Sequence, residues 1–388
     1  MKNRYYKRGR FNKKKSPQRI KFMQVNPNLL VKKAKVKSEG DTYKVKNTFE
    51  SLPLHPNIKR NIKSKGYANP TPIQDQVIPK LLKGEDIIGL ASTGTGKTGA
   101  FLIPLIHKVT SLATTKVLII TPTRELALQI LEEGKSFSYG TRAYFTLVIG
   151  GVDIRRQIRD LNKNPSFVVG TPGRIKDLFE RGHLNLNQFN SIVLDEVDRM
   201  LDMGFINDMR FIINKLPRVR HSLFFSATMT PKAQEVAKEF LNNPSIVKVS
   251  SSQASDNVHQ NIIHTRGKNK ELILKDLLSN PELKKVLVFG RTKRGLERLY
   301  NSMRSWGIPV GIIHGDKSQG YRQRSLRDFK TNRTRVLLAT DVASRGLDVN
   351  NITHVINFEL PESYQDYIHR IGRTGRANKI GYAITFID

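Results

Sequence analysis

Residues 91–98 read ASTGTGKT, from Ala91 to Thr98. The apolar run Ile87-Ile88-Gly89-Leu90 precedes the octet, and the pattern after it predicts a helix over 99–109. A strand, a Gly-rich turn and a helix start make a phosphate cradle. Gly94 and Gly96 let backbone N–H groups turn inward, and the helix N-terminus adds partial positive charge. Ala91, Ser92, Thr93, Gly94, Thr95 and Gly96 therefore form the candidate loop. Lys97 can reach β/γ-phosphates, and the Thr98 hydroxyl can hold Mg²⁺. The usual pattern GxxxxGK[ST] opens on glycine, where this chain has Ala91.

The chain has 388 residues, is 38% hydrophobic and 26% charged, and has no cysteine. That length suggests two or three domains with ample core. The missing cysteines exclude disulfides, thiol nucleophiles and Cys-based zinc sites. They also fit a reducing compartment. No apolar run approaches the ~20 residues that span a bilayer, so a cytoplasmic protein without a membrane partner is expected.

The formal net charge is +33, which favours polyanionic partners, nucleic acid above all. Residues 1–48 hold 16 Lys/Arg against Glu39 and Asp41, a net +14 that leaves +19 for the other 340 residues. Residues 1–46 read as a disordered basic tail in which Tyr5, Tyr6 and Phe11 interleave with Lys7, Arg8 and Arg10. Such mixing can stack on bases while neutralising phosphates, or can serve only as a solubilising tail.

From residue 47 short apolar runs alternate with helical patterns. Strands are expected at 86–90, 116–121, 144–149, 166–170, 191–195, 222–226 and 246–249. After a polar stretch at 250–257, the pattern restarts at 259–265, 285–289, 310–314, 335–340, 354–357 and 382–387. Continuous apolar runs separated by helices predict buried parallel sheets with right-handed crossovers. The segments FTLVIGGVDIRRQI and VGIIHGDKSQGYRQR rhyme between the halves. Two similar α/β lobes are expected, the first over 47–250 and the second over 258–388, with 251–257 as linker.

Asp195, Glu196, Val197 and Asp198 follow the run 191–194. Carboxylates at the C-terminal end of a buried strand sit where open α/β sheets bind ligands. Asp195 is the candidate for Mg²⁺, partly through water, and Glu196 for general base or water positioner.

With these blocks in place, the chain from Phe49 to its last residue resembles a DEAD-box RNA helicase, whose fold is two RecA-like lobes in tandem. Phe49, Gly66-Tyr67 and PTPIQ ending at Gln74 resemble the Q motif. ASTGTGKT matches the family's first motif, in which alanine is the usual opening residue. PTREL from Pro122, Gly150-Gly151, TPGR (Thr171–Arg174), SAT (Ser226–Thr228), Arg291-Thr292, TDVASRGLD (Thr340–Asp348) and YIHRIGRTGR (Tyr367–Arg376) follow in order. HGDKSQ and RMLDMGF resemble the bacterial RhlE-type branch. The tetrad DEVD departs from the family at Val197, where alanine is usual. Added volume beside a nucleotide site can cost ~1–3 kcal/mol, and turnover is the property it puts in question.

The resemblance implies that ATP and Mg²⁺ are bound and ATP hydrolysed. It places Gln74 and Phe49 at the adenine and Asp348 at the ribose. It places Pro122, Thr123, Arg124, Gly150, Gly151, Thr171, Pro172, Gly173, Arg174, Arg291, Thr292 and Thr340 at the RNA backbone. Asp198, Ser226, Ala227, Thr228, His369 and Arg370 would couple hydrolysis to RNA. Arg373 and Arg376 would act on the γ-phosphate as arginine fingers. From spacing, Arg370, Arg373 and Arg376 can line one helical face. The three would then repel unless an anion lies between them, or would form a solvated or RNA-contacting basic face.

The expected mechanism is closure of a monomeric, two-lobed enzyme about the linker on ATP and RNA, bending one strand with little base specificity. Ribosomal or RNA-decay proteins are possible partners. The alternatives are an RNA clamp or chaperone in which hydrolysis is incidental, and a DNA helicase of related design.

Overall fold

Runs of four apolar residues, too short for helices and bounded by turn residues, build the frame. The computed structural model describes residues 30–34, 43–92, 94–249, 257–344, 349, 351–375 and 379–388. The first lobe holds β1 (Ile87–Leu90), β2 (Val117–Ile120), β3 (Phe145–Val148), β4 (Phe167–Gly170), β5 (Ser191–Leu194), β6 (His221–Ser226) and β7 (Ser245–Lys248). They form one sheet in the order β3-β4-β2-β5-β6-β1-β7. The second lobe holds β8 (Val258–His264), β9 (Val286–Phe289), β10 (Val310–Ile313), β11 (Val336–Ala339), β12 (His354–Asn357) and β13 (Gly381–Ile387). Its order is β10-β11-β9-β12-β13-β8. Every pairing between these strands is parallel. Strands β2, β4, β5 and β9 to β12 are buried throughout, because helices cover both faces.

Helices α1 (Pro56–Ser64) and α2 (Pro72–Leu82) precede β1. In the first lobe follow α3 (Lys97–Ser111), α4 (Arg124–Phe137), α5 (Ile154–Leu161), α6 (Pro172–Glu180), α7 (Val197–Asp202), α8 (Ile206–Asn214) and α9 (Pro231–Phe240). The second lobe carries α10 (Lys270–Ser279), α11 (Lys293–Ser305), α12 (Gln319–Lys330), α13 (Asp341–Ser344) and α14 (Tyr364–Ile371). Their starts follow local chemistry. Thr123, Thr230, Thr292, Ser318 and Ser363 cap helices through side-chain oxygens. Proline opens α1, α2, α6 and α9, where its missing N–H costs nothing.

The basic tail is not free along its whole length. Leu30 is fully buried against Val258, Tyr367, Ile371 and Ala383 of the second lobe. Lys32 and Gln260 exchange two backbone hydrogen bonds, of 3.2 and 2.8 Å, on the open edge of β8. Residues 43–47 are fixed on the first lobe instead. Asp75, beside Gln74, accepts hydrogen bonds from the Tyr43 hydroxyl, the Lys46 and Asn47 amides and the Asn47 side chain. Burial pushes the Asp75 carboxyl up, but these donors prevail and hold it below the usual range. The rest of the expected tail, residue 250 and 251–256 of the expected linker lie outside the described residues. No helix among the described residues is long and apolar enough to cross a membrane.

Candidate active site

The turn between β1 and α3 has the backbone of a cradle. Gly96, at φ 95°, enters α3 in the left-handed region, and Gly94 has φ 83°. A Cβ on Gly96 would lie 2.7 Å from Thr71 Oγ1 and 2.8 Å from Gln74 Nε2, so space and backbone both demand glycine. Gln74 ties α2 to this turn. Its Nε2 donates to the Gly96 carbonyl at 3.0 Å, and its Oε1 accepts from the Thr71 amide at 2.9 Å. One N–H and one lone pair of Gln74 remain for a base. Phe49 lies in the apolar core of the lobe at 4% exposure, so it braces this segment and offers little ring face for stacking. Lys97 is 6% exposed, and its Nζ has no hydrogen-bond partner. An ammonium buried without a partner in a ring of N–H donors suits a polyphosphate.

Asp195 follows β5 beside that ammonium. Its carboxyl is fully buried and pushed up to about 6, first by burial, with the Lys97 charge opposing. A buried carboxylate next to a phosphate cradle fits a shared divalent cation. Among the described residues no group of three His, Asp or Glu side chains could hold a metal alone. Such a cation would take its other ligands from phosphate and water, as Mg²⁺ commonly does.

Glu196 has φ 54° at the entrance of α7, an uncommon conformation for a side-chain-bearing residue. Its Oε2 accepts from Arg199 Nη1 at 2.6 Å, and both side chains are buried. Asp198 Oδ2 accepts from the Thr228 amide at 2.9 Å and the Thr228 hydroxyl at 3.0 Å. Ser226 Oγ accepts from the Asp198 amide and donates to the Thr228 carbonyl. The 195–198 and 226–228 blocks thus form one hydrogen-bonded unit. The Ala91 amide joins it by donating to the Ser226 carbonyl. Val197 is fully buried in the core with Leu194, Met200 and Ala233, facing the packing between sheet and helices. The expectation that it crowds a nucleotide is therefore revised.

The second lobe brings α14 to this unit. His369 lies close enough to Arg199, Asp198, Glu196 and Arg373 to feel their charges, and burial then Arg199 push it down to about 4. Arg373 is 4% exposed, in the turn after α14. Arg370 has a different place from the one its spacing suggests. It is 2% exposed, pairs with both Asp341 oxygens at 2.6 and 2.7 Å, and donates to Asn357 Oδ1 and the Glu359 carbonyl. Its guanidinium lies 5.0 Å from the Phe289 ring centre. Arg370 braces the second lobe internally, and α14 ends before Arg373, so the two do not share one helical face. Thr93, Asp348 and Arg376 lie outside the described residues.

A cleft of about 570 Å³ crosses between the lobes. Pro122, Thr123, Arg124, Gly150, Thr171, Gly173 and Arg174 line it from the first lobe; Gly315, Arg322 and Val342 line it from the second. Thr123 and Thr171 mark the N-termini of α4 and α6, where backbone N–H groups favour phosphate oxygens. Gly151 has φ 72°, and a Cβ there would lie 2.2 Å from Arg124 Nη1, so the Gly-Gly turn seats that guanidinium. Gln157 holds the turn by hydrogen bonds to both backbone groups of Ile149. Thr292 caps α11, and Thr340 is buried before α13; neither lines this cleft. Arg291 is exposed, its amide held by Glu359 Oε2.

Sequence reading missed the contact that spans the lobes here. Glu125 Oε1 accepts from Gln319 Nε2 at 3.2 Å and pairs with Arg322 at 2.9 Å, with both charged side chains largely buried. Glu125 lies inside PTREL and was legible as a motif member; Gln319 and Arg322 lie inside the quoted segment VGIIHGDKSQGYRQR, but nothing in their spacing pointed to Glu125. Arg199, three residues from Glu196, was legible as a helical neighbour.

The sequence profile described as DEAD/DEAH box helicase matches residues 71–236, and that of the helicase conserved C-terminal domain matches 269–378. The DEAD-box ATP-dependent RNA helicase CshA of Geobacillus kaustophilus is 44% identical over 342 residues, 88% of this chain and 73% of that protein. Saccharomyces cerevisiae Dbp5 bound to RNA and ADP BeF3 superimposes with a TM-score of 0.78 at 30% identity, covering 88% of this chain and 89% of that one. A DEAD box protein of the hyperthermophile Methanococcus jannaschii gives 0.52 at 42% identity, covering 88% and 93%. The overall arrangement is thus nearer the RNA-bound chain than the one more similar in sequence.

Proposed function

This chain belongs to the DEAD-box ATP-dependent RNA helicases, and on that premise we propose how its residues couple ATP hydrolysis to local separation of RNA duplexes. The observation that carries the reading is the split site. Lys97, buried with no hydrogen-bond partner on its Nζ, and the acidic unit at 195–198 belong to one lobe, and His369 of the other lobe is near enough to that unit to feel its charges.

The loop from Ala91 to Thr98 holds the phosphates, with Lys97 as their counter-charge. Gln74 reads the adenine with its remaining donor and acceptor, and Asp348 holds the ribose. Thr98 and Asp195 would hold Mg²⁺, which supplies charge neutralisation at the phosphates. Glu196 orients the attacking water and accepts its proton. Arg373 and Arg376 stabilise charge gathering on the transferred phosphoryl group, a contribution of ~10³–10⁵ in rate in this chemistry. The cleft at Thr123, Arg124, Gly150, Thr171 and Arg174 takes the RNA backbone, so base specificity is low. Closure brings Arg322 onto Glu125 and His369 onto the Asp198–Arg199 turn, making RNA binding and hydrolysis interdependent. One strand held along both lobes departs from duplex geometry and sheds its partner. HGDKSQ and RMLDMGF support a place near the RhlE-type branch, and the family supports a cytoplasmic, monomeric enzyme.

Strand displacement from a short fluorescent RNA duplex tests this reading. Glu196→Gln should bind ATP and RNA yet lose multiple-turnover unwinding. Continued multiple-turnover unwinding by Glu196→Gln would favour an RNA chaperone in which hydrolysis is incidental.

A further inference from the structure

We propose that Arg199 is the positioning residue through which lobe closure sets the Glu196 carboxylate for hydrolysis, an inference that rests on Glu196 acting as the base. Four observations converge on this guanidinium. Its Nη1 lies 2.6 Å from Glu196 Oε2, with side-chain exposures of 4% for Arg199 and 6% for Glu196. Glu196 sits at φ 54°, where its backbone does not by itself fix the side chain, and only its Oε2 is engaged by the arginine. The other carboxylate oxygen remains for water. The Arg199 amide donates to Asp198 Oδ1 at 3.1 Å, and the second oxygen of that carboxylate is held by Thr228. Finally, His369 of the second lobe is near enough to Arg199 to feel its charge.

These contacts form a relay: Thr228 fixes Asp198, Asp198 fixes the start of α7, and Arg199 fixes Glu196. His369 closes over the relay when the lobes meet. Among the described residues no hydrogen bond or ion pair joins Arg199 to the nucleotide loop, and Arg199 does not line the RNA cleft, so its loss should act on turnover and not on substrate binding. The contact uses one N–H and one oxygen, so a lysine ammonium can replace it in part, which a bidentate pair would not allow.

The test is a double-mutant cycle on RNA-stimulated, single-turnover ATP hydrolysis, with nucleotide and RNA binding measured on every variant. Arg199→Gln should lower kcat about 10²-fold, the scale of a misplaced reacting group. KM for ATP and RNA affinity should change less than about twofold. Arg199→Lys should recover at least about tenfold of the loss. Glu196→Gln with Arg199→Gln should be no slower than Glu196→Gln alone, within about twofold, as residues acting through one another require. If Arg199→Gln does not bind nucleotide, the lysine variant carries the comparison. A kcat within twofold of the parent for Arg199→Gln would overturn the proposal. So would an equal loss on the parent and on Glu196→Gln, since the arginine would then act independently of the base. A parent-like rate for Glu196→Gln itself would instead remove the base assignment beneath it.

Discussion

Lys97 carries a buried ammonium with no hydrogen-bond partner, beside the Asp195 carboxyl, and on the proposed reading it awaits phosphate. Lys97→Met should abolish ATP hydrolysis by at least about 10²-fold. Without nucleotide it should change the thermal midpoint little, because the desolvation cost of the ammonium and its attraction to Asp195 are lost together. A lowered midpoint would mean that the ammonium is already paired in the free protein. Val197 makes the opposite case. Its side chain fills the core beside Met200 and Ala233, so Val197→Ala should cost about 1–3 kcal/mol in denaturant unfolding of the first lobe. Hydrolysis at saturating ATP and RNA should stay within about threefold. The tetrad letters advertised this position as part of the site, but its burial belongs to packing.

At the scale of elements, α14 and α12 decide whether two lobes make one site. Burial and the Arg199 charge depress His369 from its ordinary 6.5 to about 4. The packed form therefore resists a proton that the unpacked form accepts. Stability of closure is fully present above about pH 6.5 and is lost as pH falls from there towards 4, by at most about 1.4 kcal/mol per unit. Lobe closure, read by fluorescence transfer between the lobes, should weaken over that window, and His369→Gln should flatten the dependence; hydrolysis is not the readout, because the Asp195 carboxyl at about 6 titrates in the same range. The Glu125–Arg322 pair gives a second handle. Glu125→Arg or Arg322→Glu alone sets two like charges in a largely buried contact, a loss on the scale of about 3–5 kcal/mol. Exchanging both should restore much of the RNA-stimulated rate.

Most strands were legible because they are short apolar runs between turn residues, and all thirteen appear where the sequence predicts, the polar-interrupted β8 (VHQNIIH) included. Arg370 was misread because its partner, Asp341, arrives from a separate segment that spacing cannot see. Arg322 stayed hidden for the same reason. Asp75 was masked by its neighbour Gln74, whose motif drew the reading away from it.

For the whole molecule, the N-terminal segment belongs to both lobes. Residues 30–34 add to the β8 edge beside the helix that leads to Arg373, and residues 43–47 are bound at Asp75 beside Gln74. A tail read only from its charge missed this, because Leu30 is one apolar side chain among lysines. Deleting residues 1–29 should weaken RNA affinity and make its salt dependence shallower, with RNA-saturated hydrolysis kept. Leu30→Asp in the full chain should lower the unfolding midpoint of the second lobe by burying an unpaired charge. An unchanged midpoint would mean that this segment does not dock in solution.

On the proposed mechanism, closure makes hydrolysis answer to RNA. The measurement that tests this most directly is ATP hydrolysis with and without single-stranded RNA, beside Lys97→Ala as blank and DNA of the same sequence and length. Strong stimulation by RNA, little by DNA and none in the blank is the predicted result. A rate indifferent to RNA, in protein that binds both ligands, would contradict a site completed across two lobes.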